Sequence, residues 1–206
     1  EFKFVKKIKE PGSPAMDRGK DMHKLCEEYI RGNYEEIPSQ LKEFEEAFEV
    51  LRDLYIHGHV FCESDCAVDK NWQKTGWFEE DTWGRAKVDA FVYEEGISKE
   101  ARVIDFKTGR YDGNQETHRE QCELYGAVAL SRYPELESIQ TEMWYLDHGK
   151  IDRYIYTPQS IKAKQEKLNQ RALAMTTAEE FTANPSKFKC KWCYFGKQNM
   201  CREAAA

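Results

Sequence analysis

Three strand-like runs precede one long helical stretch and then two more strands, an order that constrains this chain more than any other feature. Val60 to Val68, Trp83 to Tyr93 and Arg102 to Lys107 are rich in β-branched and aromatic residues with polar–apolar alternation, and turn residues around Glu95-Gly96 separate the last two. The spacing predicts that they pair as an antiparallel meander. Gln115 to about Tyr133 reads as a helix with Asn114 at its cap and Pro134 as its stop, crossing over to a strand from Ile139 to Leu146. His148-Gly149-Lys150 then turns into a strand from Ile151 to Tyr156, and a polar helix follows from Pro158 to about Met175. Upstream, Met16 to Ile30 reads as one helix, ended by Gly32-Asn33. Leu41, Phe44, Phe48, Leu51 and Tyr55 recur at helical spacing, predicting a second, amphipathic one. Strands alternating with helices place the chain in the α/β class.

The chemistry gathers at one end of the meander. Asp105 and Lys107 are two apart on a strand, so both project from one face while Phe106 turns toward a core. Asp89 ends the alternating stretch Trp83-Gly-Arg-Ala-Lys-Val-Asp89 on the preceding strand. Two carboxylates converging on one point make an oxygen-rich site suited to Mg2+ or Mn2+. Such an ion generates a nucleophile at neutral pH and neutralises the charge that develops on a phosphodiester, and an adjacent lysine orients water or stabilises the transition state. An isolated Asp-x-Lys, however, is most often a surface ion pair.

The order of further residues raises the signal. Gly19-x-x-x-His23-x-x-x-Glu27 lies upstream in a helix and Gln121-x-x-x-Tyr125 downstream in another. The order His, Asp, Asp-x-Lys, Gln-x-x-x-Tyr, from about Phe2 to Cys201, resembles the RecB-like branch of the PD-(D/E)xK nuclease superfamily, which includes nuclease domains of bacterial recombination helicases, CRISPR adaptation nucleases and phage exonucleases. The resemblance implies a restriction-endonuclease-like α/β core, with a mixed sheet of about five strands flanked by helices over residues 1–182, and a small cysteine-containing C-terminal lobe over 183–206. It implies His23, Asp89, Asp105 and the carbonyl of Phe106 as metal ligands and Lys107 as the catalytic lysine. Gln121 and Tyr125, one helical turn apart, would contact the DNA backbone or steady the site. Members commonly carry glycine three residues before the first aspartate, where this chain has Ala86. A glutamate is frequent on the first strand, and Glu63 there is expected to pair with Arg85 or Lys87. Cys62 and Cys66, four apart on the same strand, are expected as buried thiols on one face.

Cys190-x-x-Cys193-x7-Cys201 is a second constellation, since Cys-x-x-Cys sets two thiolates within reach of one metal. The resemblance implies a [4Fe-4S] cluster, with Zn2+ or unliganded thiols as alternatives. The fourth ligand is not identified; the related nucleases place it before the segment corresponding to Phe2 to Ile8, and Cys26 is too close to His23 to serve.

A net charge of -6 runs against contact with phosphates. Distribution offsets it. Glu35, Glu36, Glu43, Glu45, Glu46 and Glu49 cluster as a solvated face, while residues 187–202 hold five cations, no acid and interleaved aromatics. Lys191, Trp192 and Lys197, with Arg85 and Arg110 elsewhere, are the candidate DNA contacts; the alternative for this lobe is buried aromatics under exposed lysines. At 206 residues and 40% hydrophobic content the chain suits a single core. Seven cysteines, an odd number, fit a reducing compartment. No run is apolar enough to span a bilayer and the basic, aromatic start is no secretory signal, so the expected setting is the cytoplasm of a bacterium or phage-infected cell. The expected function is a Mg2+- or Mn2+-dependent DNA exonuclease acting on single strands or duplex ends, with recombination or CRISPR proteins as partners. The alternative is a noncatalytic DNA-binding or assembly subunit of the same fold.

Overall fold

The structure, a computed structural model, describes residues 2, 3 and 5–204. The described residues form two compact units: those of 15–171, and those of 1–14 together with those of 172–206.

The larger unit is built on a five-stranded mixed sheet, in the order β1 (Val60–Val68), β2 (Gly84–Val92), β3 (Glu100–Lys107), β4 (Ser138–Tyr145), β5 (Lys150–Tyr156). All pairs are antiparallel except β3 with β4, which α3 (Gln115–Arg132) joins as the crossover that a parallel pair requires. Helices α1 (Pro14–Ile30) and α2 (Glu45–Ile56) cover one face of the sheet, where Tyr29, Phe48, Leu51, Ile104, Phe106 and Trp144 form one core. Helix α3 and Ile161 of α4 (Pro158–Thr176) cover the other, against Val88, Phe91, Val103, Ile139 and Met143. This is the α/β architecture expected from the order of the elements.

Three local readings are corrected. Leu41 and Phe44 sit on a 3-10 helix, Ser39–Phe44, and only from Glu45 does the chain wind as α2, because an apolar spacing of three fits the tighter helix as well as the wider one. Asn114 occupies the position before α3 without capping it; its side-chain amide donates instead to the Arg110 carbonyl at 3.1 Å.

The third correction concerns β1. Cys66 is buried in the core under α3, whereas Cys62 packs toward α1 and α2, so the two thiols lie on opposite faces of the sheet. The cause is Glu63, whose φ of 53° lies in the left-handed region and turns the strand over. Glu63 stands opposite Asp89 in the register, between the pairs Cys62–Ala90 and Ser64–Val88, and β2 changes face at the same level. Ala86 and Val88 point to the α3 side; Ala90 and Val92 point to the α1–α2 side. Glu63 also holds Lys87 at 2.8 Å, one of the two pairings expected of it.

The smaller unit carries α5 (Lys187–Trp192) and α6 (Tyr194–Lys197), with Ser186 capping α5 through the Lys189 amide. Phe2 stacks on Phe195 at 5.1 Å. Among the described residues no helix is long and apolar enough to cross a membrane.

Candidate active site

The site lies where β2 and β3 part. Their ladder ends at Ala90–Ile104, so the next residues, Asp89 and Asp105, stand at the mouth of the fork. Asp89 spans it, accepting a hydrogen bond from the Phe106 amide at 2.6 Å through Oδ2 while Oδ1 meets His23 Nδ1 of α1 at 2.9 Å. Asp105 is 4% exposed and turns to the α3 side, where Tyr125 Oη donates to Oδ1 at 2.6 Å and Gln121 Nε2 at 3.2 Å. Lys107 Nζ approaches Asp105 Oδ2 at 2.5 Å. That oxygen is buried and accepts no hydrogen bond of good geometry, so the lysine meets it as a charge rather than as an aligned donor. His23 of α1, Asp89 of β2, Asp105 and Lys107 of β3, and Gln121 and Tyr125 of α3 thus lie in one chain of contacts around the fork.

The electrostatics follow from burial. Loss of water pushes the Asp89 carboxyl above its ordinary range and the neighbouring Asp105 charge adds to this, while the His23 contact opposes it. His23 is raised by its hydrogen bond to Asp89, against its own burial. Burial and then the Asp105 charge push the Tyr125 phenol far up, so it remains a donor. Two carboxylates have been desolvated side by side, with Lys107 set against one of them.

Donors of this kind fit a hard divalent cation. They are not arranged as a finished coordination shell: among the described residues no three His, Cys, Asp or Glu side chains converge as a metal-holding group. His23 and Asp89 grip each other and Asp105 grips Lys107, so those contacts would open for an ion to enter.

A model of the PD-(D/E)XK nuclease superfamily matches residues 84–202, more than half of the chain. The chain belongs to the PD-(D/E)XK nuclease superfamily. Nucleases of this superfamily act on nucleic acids and generally use Mg2+ or Mn2+. Among solved structures, a candidate exonuclease from Eubacterium rectale is 14% identical, with a TM-score of 0.50, over 98% of this chain and 80% of that one. The likeness is one of fold. The protein SSO0001, also 14% identical, aligns over 92% of this chain and 100% of its own, with a TM-score of 0.41 too low to inform the comparison. No curated protein matches the chain.

Arg110 is exposed on the loop after β3, and Arg85 on β2 stacks on aromatic rings of the preceding loop. In the smaller unit, Lys191 and Lys197 lie over the Trp192 ring at 5.4 and 5.6 Å. Trp192 is 66% exposed and Phe188 74%, so these two aromatics are not buried under the lysines. Cys190, Cys193 and Cys201 border one cavity of about 900 Å³ but, among the described residues, do not converge as a metal-holding group.

Sequence reasoning missed a clamp on α1. Arg18 donates to both oxygens of Asp147, at 2.8 and 2.5 Å, and Asp147 also accepts the Gly109 amide at 2.6 Å. A Cβ on Gly19 would meet Thr108 Oγ1 at 3.5 Å, an ordinary contact distance, so α1 runs beside the chain just beyond Lys107. The helix carrying His23 is thus tied to the loops flanking the site. Arg18 holds the Asp147 carboxyl below its ordinary value. A depressed folded pKa means that the stabilisation is complete above the unfolded value of about 3.9 and is lost as pH falls through the folded one. Because Arg18 is half exposed, Asp147→Ala is expected to cost no more than about 1 kcal/mol at pH 7. Urea midpoints of parent and variant should converge as the pH is lowered below about 4; a gap that persists there would show that the carboxylate charge is not its source.

Proposed function

We propose that this chain is a Mg2+- or Mn2+-dependent deoxyribonuclease of the RecB-like branch, hydrolysing phosphodiester bonds as an exonuclease at single strands or duplex ends. The observation that carries the reading is the fork itself, where Asp89 and Asp105 are desolvated together with Lys107 against Asp105. His23, Asp89, Asp105 and the Phe106 carbonyl would hold the ion. When bound, the ion supplies charge neutralisation on the phosphate and acidifies water.

The chain's own residues do the rest. Tyr125 and Gln121 fix Asp105 through its Oδ1 and leave Oδ2 to face the reacting groups. Phe106, through its amide, fixes Asp89. Lys107 is in place to orient water for in-line attack or to offset charge on the non-bridging oxygens. The intact Asp105–Lys107 contact favours catalysis over a noncatalytic role of the same fold. The fold likeness to a candidate exonuclease supports action on ends, and DNA recombination, repair, or phage or CRISPR DNA processing in the cytoplasm is the setting such an activity would serve.

Incubating the protein with end-labelled linear and with circular DNA, in EDTA, Mg2+ or Mn2+, tests this. Metal-dependent loss of linear DNA with circular DNA spared is the expected result, and the released label gives the polarity. Equal attack on circles would replace the exonuclease by an endonuclease, and no cleavage in either metal would remove the nuclease reading.

A further inference from the structure

We propose that the loop between β1 and β2 is a stacking platform for unpaired nucleobases, built from Trp77 and Phe78 with Arg85 as their cationic partner. The inference rests on the nucleic-acid reading above and names the part of the substrate that this loop takes.

Phe78 is 89% exposed, an unusual place for a large apolar ring. Its exposure belongs to an ordered loop. Asp69 Oδ1 accepts the amides of Asn71 and Gln73, both at 2.8 Å; Thr75 Oγ1 donates to Asp81 at 2.7 Å; Thr82 Oγ1 donates to the Gly76 carbonyl at 2.7 Å. The Trp83 amide closes the loop on the Val68 carbonyl at 2.9 Å, and Trp72 anchors it on the core under α3. The ring is therefore presented to solvent by a preorganised support, which lowers the ordering cost of binding.

Arg85 supplies the second element. Its guanidinium lies 5.8 Å from the Trp77 ring and 5.9 Å from the Phe78 ring, within cation–π reach of both. Aromatic faces beside an arginine hold single strands without regard to sequence, because every base has a π-face. Lys74 and Arg132, together with Asp65, border an adjoining recess of about 470 Å³ against Trp77, so two cations and one carboxylate lie beside the rings.

Position ties the platform to the fork. Ala86 and Val88 point into the α3 core, so Arg85, Lys87 and Asp89 share the opposite face of β2, where His23 meets Asp89. Four residues at about 3.3 Å each place Arg85 roughly 13 Å along the strand from Asp89, a span of a few nucleotides. Glu79, Glu80 and Asp81 follow Phe78 directly. Acids there repel a phosphate backbone, which leaves base faces as what Phe78 can accept. In a duplex those faces are already stacked, so the platform selects unpaired bases.

The test measures anisotropy of labelled oligothymidine and of a blunt duplex, both with Lys107→Ala as parent so that the strands stay intact. Adding Phe78→Ala is expected to weaken oligothymidine binding about tenfold or more, with duplex affinity nearly unchanged and the melting temperature unmoved. Phe78→Trp should restore binding, and the salt dependence should keep its slope, because the ring releases no counterions. Equal oligothymidine affinity of parent and Phe78→Ala would overturn the platform while leaving the nuclease reading intact. A parent that binds neither strand nor duplex would overturn the nucleic-acid reading, and the platform with it.

Discussion

Lys107→Ala and Asp105→Asn are each expected to lower cleavage by about 100-fold or more, with the folded state retained in both. Lys107 is the cation set against Asp105, at 2.5 Å from an oxygen that has no aligned donor. Removing it leaves Asp105 held by Tyr125 and Gln121, so the strand keeps its place while the ammonium that would orient water is gone. Asp105→Asn preserves a hydrogen-bond acceptor for Tyr125 but removes the charge that faces Lys107 and that adds to the rise of the Asp89 carboxyl caused first by burial. Relief of that repulsion and loss of the Lys107 ion pair oppose each other, so its melting temperature should stay near that of the parent while cleavage falls. Cleavage at the parent rate by either variant would sink the assignment of this fork as the active site.

How much of this was legible depends on the range over which each feature is encoded. Asp105 and Lys107 sharing a face, with Phe106 in the core, follows from the two-residue period of a strand and is what the structure contains. The crossover helix was equally readable, because a parallel pair cannot be joined by a short turn. Strand alternation alone misled at Cys62 and Cys66, since it assumes a uniform φ and Glu63 breaks it. The same reversal sets Asp89 on the α1 side, within reach of His23, so the missed irregularity is part of what assembles the site. Arg18 and Asp147 are 129 residues apart, and no local pattern marks either as the partner of the other. The C-terminal cysteines show the opposite limit: Cys-x-x-Cys spacing gives what could bind, and the positions of the side chains decide whether a group forms.

Phe106→Ala should be the most destabilising single change at the site, by about 3–5 kcal/mol. The ring is 1% exposed and packs at 5.5 Å from Phe48 and 5.8 Å from Trp144, with the His23 imidazole edge-on at 6.3 Å. Truncation removes the contacts that fix α1 and α2 to the sheet and opens a cavity beneath the two residues that carry the chemistry. Against a typical domain stability of about 5–15 kcal/mol, such a loss moves the urea midpoint far down and leaves the variant partly unfolded when warm. Phe106→Leu keeps most of the volume and should cost less than about 2 kcal/mol. It also keeps the backbone amide that holds Asp89, so metal-dependent cleavage should persist at temperatures where the variant is folded. The two variants separate the side chain's role in packing from the backbone's role in the site. If Phe106→Leu, folded and stable, lost cleavage as completely as Lys107→Ala, the aromatic ring itself would be acting on His23 or the substrate, and the view of Phe106 as a buttress would be wrong.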